Sequence, residues 1–162
     1  MDSLIAAKGE LRVALLAGQI VNCPCCKQRC KIYKRKLNAT MARGLLWLVR
    51  KSGDDRDWVN IQEGPLWLLR TKELPTTGHW GLVEKRPNKD TTKRTSGIWR
   101  PTPQGIAFAR GEIEVISHVH LYNNVAYDVG HTERIGIIDA LGDKFDYQEL
   151  MRGCVRERTT DV

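Results

Sequence analysis

Four of the chain's five cysteines lie within the nine residues NCPCCKQRC, at positions 22–30. Cys23 and Cys26 are separated by two residues, and this spacing lets a tight turn direct two sulfur atoms toward one metal ion. Cys30 follows four residues later and offers a third thiolate. The sequence therefore predicts an N-terminal cysteine-knuckle β-hairpin that binds Zn²⁺ through Cys23, Cys26 and Cys30.

Other features of this stretch leave alternatives open. There is no second C-x-x-C pair, and Lys27 stands where zinc knuckles usually have glycine. The metal-free alternative is a turn of reduced cysteines, and a third possibility is a redox pair. The candidates for a fourth zinc ligand are two cysteines and three histidines: Cys25, Cys154, His79, His118 and His120.

Positive charge is concentrated in the first two thirds of the chain. Residues 1–110 contain 21 Lys and Arg against 9 Asp and Glu, whereas residues 111–162 contain 5 against 10. A basic body with an acidic end favours a DNA or RNA backbone as the partner. Six of the cations fall within residues 27–36, which include the predicted outgoing strand of the cysteine hairpin, and Tyr33 is interleaved with them. The cations expected to contact phosphates are Lys31, Lys34, Arg35 and Lys36.

Apolar periodicity and turn signals predict an α+β protein. A short N-terminal helix ends at Gly18, and Asn38 is a candidate N-cap for the next helix. Residues 38–110 then predict helix, short strand, helix, strand, basic loop and strand, with the strands at 58–61, 82–87 and 98–101. Residues 117–130 predict two strands around Asn123 and Asn124, followed by two short helices separated at Gly142.

The segment GHWGLVEKRPNKDTTKRTSGIWRPTPQGIAFARG (78–111) resembles the second half of regulators of the multiple-antibiotic-resistance type. The matching pieces are Gly81-Leu82-Val83 with Arg86, the basic stretch 88–97, and Pro101–Gly105. The resemblance implies a winged-helix-like body whose wing contacts phosphates. The wing cations are Lys85, Arg86, Lys89, Lys93 and Arg94.

One departure from that family concerns its recognition helix. Only residues 62–80 are available for the helices between the first short strand and Gly81, so this helix is predicted to be short, displaced or missing. Trp80 and Trp99 flank the wing. We expect them to be core or half-core aromatics, with stacking on single-stranded bases as the alternative.

The whole chain also resembles a group of uncharacterised small phage and prophage proteins that combine a CPxC knuckle with this segment. The predicted organisation is an N-terminal helix and knuckle hairpin (1–37), a winged-helix-like domain (38–112), and a hairpin with helices packed on the same body (113–162). The predicted function is a nucleic-acid-binding regulator of transcription or replication of the phage type. The alternative is a module that binds a host or viral protein.

Several other classes are disfavoured by the sequence. There is no P-loop, dinucleotide fingerprint, H-E-x-x-H or G-x-S-x-G motif, so we do not expect an enzyme. No apolar run reaches 18 residues, and the N-terminus lacks the basic-then-apolar order of a signal peptide. The expected location is therefore the cytoplasm, without membrane association, and the sequence does not indicate an oligomeric state.

Overall fold

The computed structural model describes residues 2–87, 97–122 and 125–150. The chain forms helices and antiparallel sheets, which confirms the predicted α+β class. It divides into two compact units that are each discontinuous in sequence. The first unit combines Met1–Lys36 with His118–Thr132, and the second combines Leu37–Ser117 with Glu133–Val162. The contiguous domain boundaries predicted above stay a prediction.

The described residues form α-helices, short β-strands and two 3₁₀ helices. The α-helices are α1 (Asp2–Leu16), α2 (Ala39–Ser52), α3 (Leu66–Thr71), α4 (Pro103–Ala109) and α5 (Ile137–Leu141). The strands are β1 (Val21–Asn22), β2 (Arg29–Cys30), β3 (Tyr33–Lys36), β4 (Val59–Asn60), β5 (Val83–Lys85), β6 (Ile98–Pro101), β7 (Val115–Ile116), β8 (His118–Tyr122), β9 (Val125–Tyr127) and β10 (Arg134–Ile135). Two 3₁₀ helices span Ile61–Glu63 and Leu74–Trp80.

The first unit contains the predicted N-terminal helix and cysteine hairpin. Gly18 follows α1 with φ +81°, as a helix-terminating glycine does. Strands β1 and β2 pair antiparallel around the cysteines, with Val21 opposite Cys30. The basic strand was expected to be the outgoing arm of this hairpin, and that expectation is wrong. Strand β3 instead pairs with β8 in a separate three-stranded sheet of order β3-β8-β9.

The second unit is built on α2, whose ends follow the predicted signals. The side chain of Asn38 accepts a hydrogen bond from the Met41 amide at 2.9 Å, and Gly53 ends the helix with φ +70°. The inner face of α2 is fully buried at Met41, Leu45 and Leu48. Burial of this stripe supplies most of the stability that a single short helix lacks in water.

The strands of the predicted wing belong to a three-stranded sheet in this unit, with β5 at its edge and β6 in the centre. The order is β4-β6-β5, and both pairings are antiparallel, with Val59 opposite Trp99 and Val83 opposite Pro101. The predicted strands at 58–61, 82–87 and 98–101 are confirmed. The residues that connect β5 to β6, 88–96, lie outside the described residues.

The segment between β4 and β5 contains little regular helix. Helix α3 has six residues, and a seven-residue 3₁₀ helix follows it. Six residues of α-helix extend about 9 Å, which is less than two turns. The expectation that a full recognition helix does not fit between residues 62 and 80 is therefore supported, and the winged-helix assignment itself stays a prediction.

The TPQG turn after β6 is fixed by hydrogen bonds around Thr102. Its hydroxyl donates to the Gly81 carbonyl at 2.6 Å and accepts from the Gly105 amide at 2.9 Å. Helix α4 starts at this cap and buries Phe108 completely. The turn thus anchors α4 against the segment that leads into β5.

The last third contains the predicted strands and helices. Strands β8 and β9 form the hairpin expected for residues 117–130, although Asn123 and Asn124 at its turn lie outside the described residues. Helix α5 is followed by Gly142 with φ +59°, and residues 147–150 are helical again. In the described part of the chain, no helix has both the length and the apolar character needed to cross a membrane.

Candidate functional site

The cysteine hairpin has the backbone of a tight knuckle. The Cys23 amide donates to the Gln28 carbonyl at 2.7 Å, and the Lys27 amide donates to the Cys23 carbonyl at 2.9 Å. Lys27 itself has φ +66°, in the left-handed region that glycine adopts without steric cost. The lysine that weakened the sequence match therefore occupies the conformation that a knuckle glycine would have.

The Cys23 sulfur accepts hydrogen bonds from several neighbouring donors. Hydrogen bonds from the backbone amides of Cys26 and Cys25, and then from the Cys26 thiol, hold the pKa of Cys23 below its ordinary value. These bonds stabilise the thiolate, which is the form that binds a metal ion. The amide donors come from the second and third residues after Cys23, so the C-x-x-C turn itself produces the effect.

Cys30 lies on β2, is buried, and contacts Tyr122 on β8. The Tyr122 hydroxyl donates to the Cys30 sulfur at 3.6 Å. The hydrogen bond with Cys30, followed by burial and by negative charge on Cys30, Cys23 and Cys26, raises the pKa of Tyr122 to about 12. All three predicted zinc ligands therefore lie near one hydroxyl group.

A different pair of side chains, both in the first unit, is close enough to share a metal ion. Ligand nitrogens of His118 and His131 lie within 4.8 Å of each other. Across residues 2–87, 97–122 and 125–150, the cysteines form no group of three ligand atoms within that distance. Zinc binding at Cys23, Cys26 and Cys30 thus stays a prediction, and Cys154 lies outside the described residues.

The basic strand β3 is an exposed edge of the sheet β3-β8-β9. All four of its residues, Tyr33–Lys36, are exposed. Lys31, just before the strand, places its ammonium 5.1 Å from the centre of the Tyr33 ring. An exposed edge strand with three consecutive cations presents charge on both faces of the sheet, because neighbouring side chains alternate.

One face of this sheet combines lysines with histidines. Lys34 lies opposite His120, and Lys36 lies opposite His118. Paired residues of antiparallel strands point to the same side of a sheet, so these four side chains share a face. Burial, and then the positive charges of His131 and Lys34, lowers the pKa of His120.

The second unit contains the other predicted phosphate contacts. Lys85 and Arg86 are exposed at the end of β5, and the Arg86 amide donates to the Ile98 carbonyl at 2.9 Å. Lys89, Lys93 and Arg94 lie outside the described residues. Of the two flanking tryptophans, Trp80 is buried and donates from Nε1 to the Ile116 carbonyl at 2.8 Å, whereas Trp99 is half-buried. Their predicted core and half-core positions are confirmed.

Two residues of the first unit were not singled out from the sequence. Tyr122 could have been found, because it continues the alternation of His118 and His120 along one face of β8. His131 follows Gly130 in the segment after β9 and belongs to no recognisable pattern. Only the tertiary structure brings its ring within 5.3 Å of His118 and 5.4 Å of His120.

Comparison with known proteins returned no match to the chain among protein-family models, curated proteins or solved structures. The resemblances described above therefore rest on the residues quoted for them.

Proposed function

We propose that this protein is a cytoplasmic nucleic-acid-binding regulator of the phage type, and that the exposed edge strand β3 is its principal phosphate-binding element. The observation that supports the proposal most directly is the exposure of Lys34, Arg35 and Lys36 on consecutive positions of an edge strand. Phosphate contacts by such cations supply most of the affinity for a nucleic-acid backbone. DNA is the first partner to test.

The backbone pairing of β3 supports its proposed role in binding phosphates. Its four residues pair with β8 over the whole length of the strand, from Tyr33 opposite Leu121 to Lys36 opposite His118. Among the described residues, no strand lies along the other edge of β3 in this sheet. Backbone pairing on one side fixes the strand, so less conformational entropy is lost when its side chains contact phosphates. The wing residues Lys85 and Arg86, on the second unit, would add further phosphate contacts.

The test replaces two lysines on the same face of β3 with neutral residues. Lys34→Gln with Lys36→Gln should weaken DNA binding at low salt by roughly ten-fold, and should reduce the slope of log K against log salt by about 2, because two phosphate contacts are removed. Fluorescence anisotropy with a labelled duplex, repeated over a salt series, measures both quantities. Parallel titrations with single-stranded DNA and RNA identify the type of nucleic acid.

The matched control carries the same change of net charge elsewhere. Lys51→Gln with Lys144→Gln alters two exposed lysines outside β3 and should leave both affinity and slope close to those of the unmodified protein. Equal losses in the two double variants would show only a general charge effect. Absence of binding to every nucleic acid at low salt would reject the proposal.

The zinc assignment at the knuckle belongs to the same proposal. The lowered pKa of Cys23, together with its amide hydrogen bonds, favours the thiolate that Zn²⁺ requires. A bound ion would connect the C-x-x-C turn to Cys30 and so brace the segment that precedes β3.

Removal of two ligands tests this assignment. Cys23→Ser with Cys26→Ser should lower the zinc content by one ion per chain, as measured by elemental analysis of protein purified without added metal. Cys25→Ser is the control and should leave the zinc content unchanged, because Cys25 is exposed and adjacent cysteines rarely bind one ion together without strain. Equal zinc content in the double variant and the unmodified protein would contradict the assignment.

A protein partner is the second candidate, and exposed apolar side chains on α1 favour it. Four large apolar side chains of this one helix are exposed, namely Leu4, Ile5, Val13 and Leu16, and exposed apolar groups that occur together mark interaction surfaces. The two candidate functions predict different results when a host lysate is treated with nuclease before the protein's partners are recovered. One stoichiometric partner recovered from nuclease-treated host lysate, without any nucleic-acid binding by the purified protein, would favour this alternative.

A further inference from the structure

Three of the chain's four histidines lie together on the first unit. His118 and His120 project from one face of β8, and the ring of His131 lies between them, with centroid distances of 5.3 and 5.4 Å. Each of the three residues is half-buried. The fourth histidine, His79, is in the second unit.

These distances match those of metal-ligating imidazoles. Zn–N bonds of about 2.0–2.1 Å at tetrahedral angles place the centroids of two ligating rings about 5.2 Å apart. The rings are tilted by 60° and 51° rather than stacked. Ligand nitrogens of His118 and His131 already lie within 4.8 Å of each other, whereas those of His120 do not meet that distance with both of them. Rotation of the His120 ring about its side-chain bonds would therefore be needed to complete the site.

We propose that His118, His120 and His131 form a second metal site, separate from the cysteines, that binds a divalent transition-metal ion such as Zn²⁺. Three imidazoles select Zn²⁺, Co²⁺, Ni²⁺ or Cu²⁺ over Mg²⁺ and Ca²⁺, which prefer oxygen ligands. Three protein ligands leave one coordination position for water. The proposal uses only residues of the first unit.

The neighbouring positive charges do not prevent binding. Lys34 and Lys36 lie opposite His120 and His118, and both lysines are exposed. Long lysine side chains carry their ammonium groups into water, where salt screens their repulsion of a bound cation. The bound ion would in turn add positive charge to the lysine-bearing face of the sheet.

The experiment separates this site from the knuckle by working in a Cys23→Ser/Cys26→Ser background. Calorimetric titration of this variant with Zn²⁺ should show about one equivalent bound. Adding His131→Ala, or His120→Ala, should weaken that binding by at least about ten-fold, since loss of even an outer-shell partner of a metal ligand costs about 10–100-fold in affinity. Adding His79→Ala should leave it unchanged. His131→Phe keeps an aromatic ring without a metal-binding nitrogen, and it replaces His131→Ala if that variant fails to fold.

A spectrum of the Co²⁺-loaded background variant gives a second readout. Nitrogen and water ligands should produce visible d–d bands without a sulfur-to-cobalt charge-transfer band. No Zn²⁺ binding by the background variant, unchanged binding after His131→Phe, or a sulfur band with Co²⁺ would each overturn the proposal. Nucleic acid is absent from these measurements, so their outcome is independent of the proposed function.

Discussion

Gly105→Ala is expected to destabilise the protein by about 3 kcal/mol, because there is no room for a methyl group at this position. A methyl group on the Gly105 α-carbon would overlap the Leu82 carbonyl oxygen and lie 2.9 Å from the Leu82 carbonyl carbon. Both are backbone atoms that cannot rotate away, and the Thr102 cap holds α4 in place. Thermal unfolding should show a melting temperature lower by roughly 6–12 °C.

Gly9→Ala is the matched control, since Gly9 also lies within a helix but a methyl group there would have no atom within 4 Å. This change should be neutral or should stabilise the protein by up to about 1 kcal/mol, as expected for alanine in an exposed helix interior. A melting temperature for Gly105→Ala equal to that of Gly9→Ala would contradict the described packing of α4 against Leu82.

Trp80→Ala is expected to cost about 3–5 kcal/mol of folding free energy, the usual range for removing a large buried aromatic side chain. Trp80 is 5% exposed and its indole donates a hydrogen bond to the Ile116 carbonyl. A ring in this position cannot stack on a base without leaving the core. Chemical denaturation followed by far-ultraviolet circular dichroism measures the loss.

Trp80→Phe separates packing from hydrogen bonding in the same position. It keeps most of the apolar volume but leaves the Ile116 carbonyl without the indole donor, so we expect a smaller loss of about 1–2 kcal/mol. If Trp80→Ala instead left the melting temperature unchanged and weakened nucleic-acid binding, the core assignment would be wrong and the stacking alternative would be restored.

The parts of the fold that could be predicted are those with local signals. Asn38 as a cap and Gly53 as a terminator bound α2, because both act within one turn of the helix. The strands on either side of the wing follow from short apolar alternation. The TPQG turn is recognisable as a motif, but the reason for its glycine is a tertiary contact with Leu82.

The candidate site was predicted only in part. The C-x-x-C spacing identified Cys23 and Cys26, whose amide hydrogen bonds lie within four residues of sequence. The basic run identified the cations of β3. Assigning that strand to the cysteine hairpin was wrong because its partner, β8, is more than 80 residues further along the chain, and local patterns do not determine which strands pair.

By itself the sequence determined most of the elements, the knuckle turn and the excess of positive charge in the first two thirds, since each depends on residues close together in the chain. The short strands β7 and β10 were not among the predicted elements. Only the tertiary structure decided that residues 118–132 join the N-terminal segment in one compact unit. It also placed Tyr122 against Cys30, and His131 between His118 and His120. These contacts follow from the register of non-local strands and the path of a loop, which no short stretch of sequence specifies.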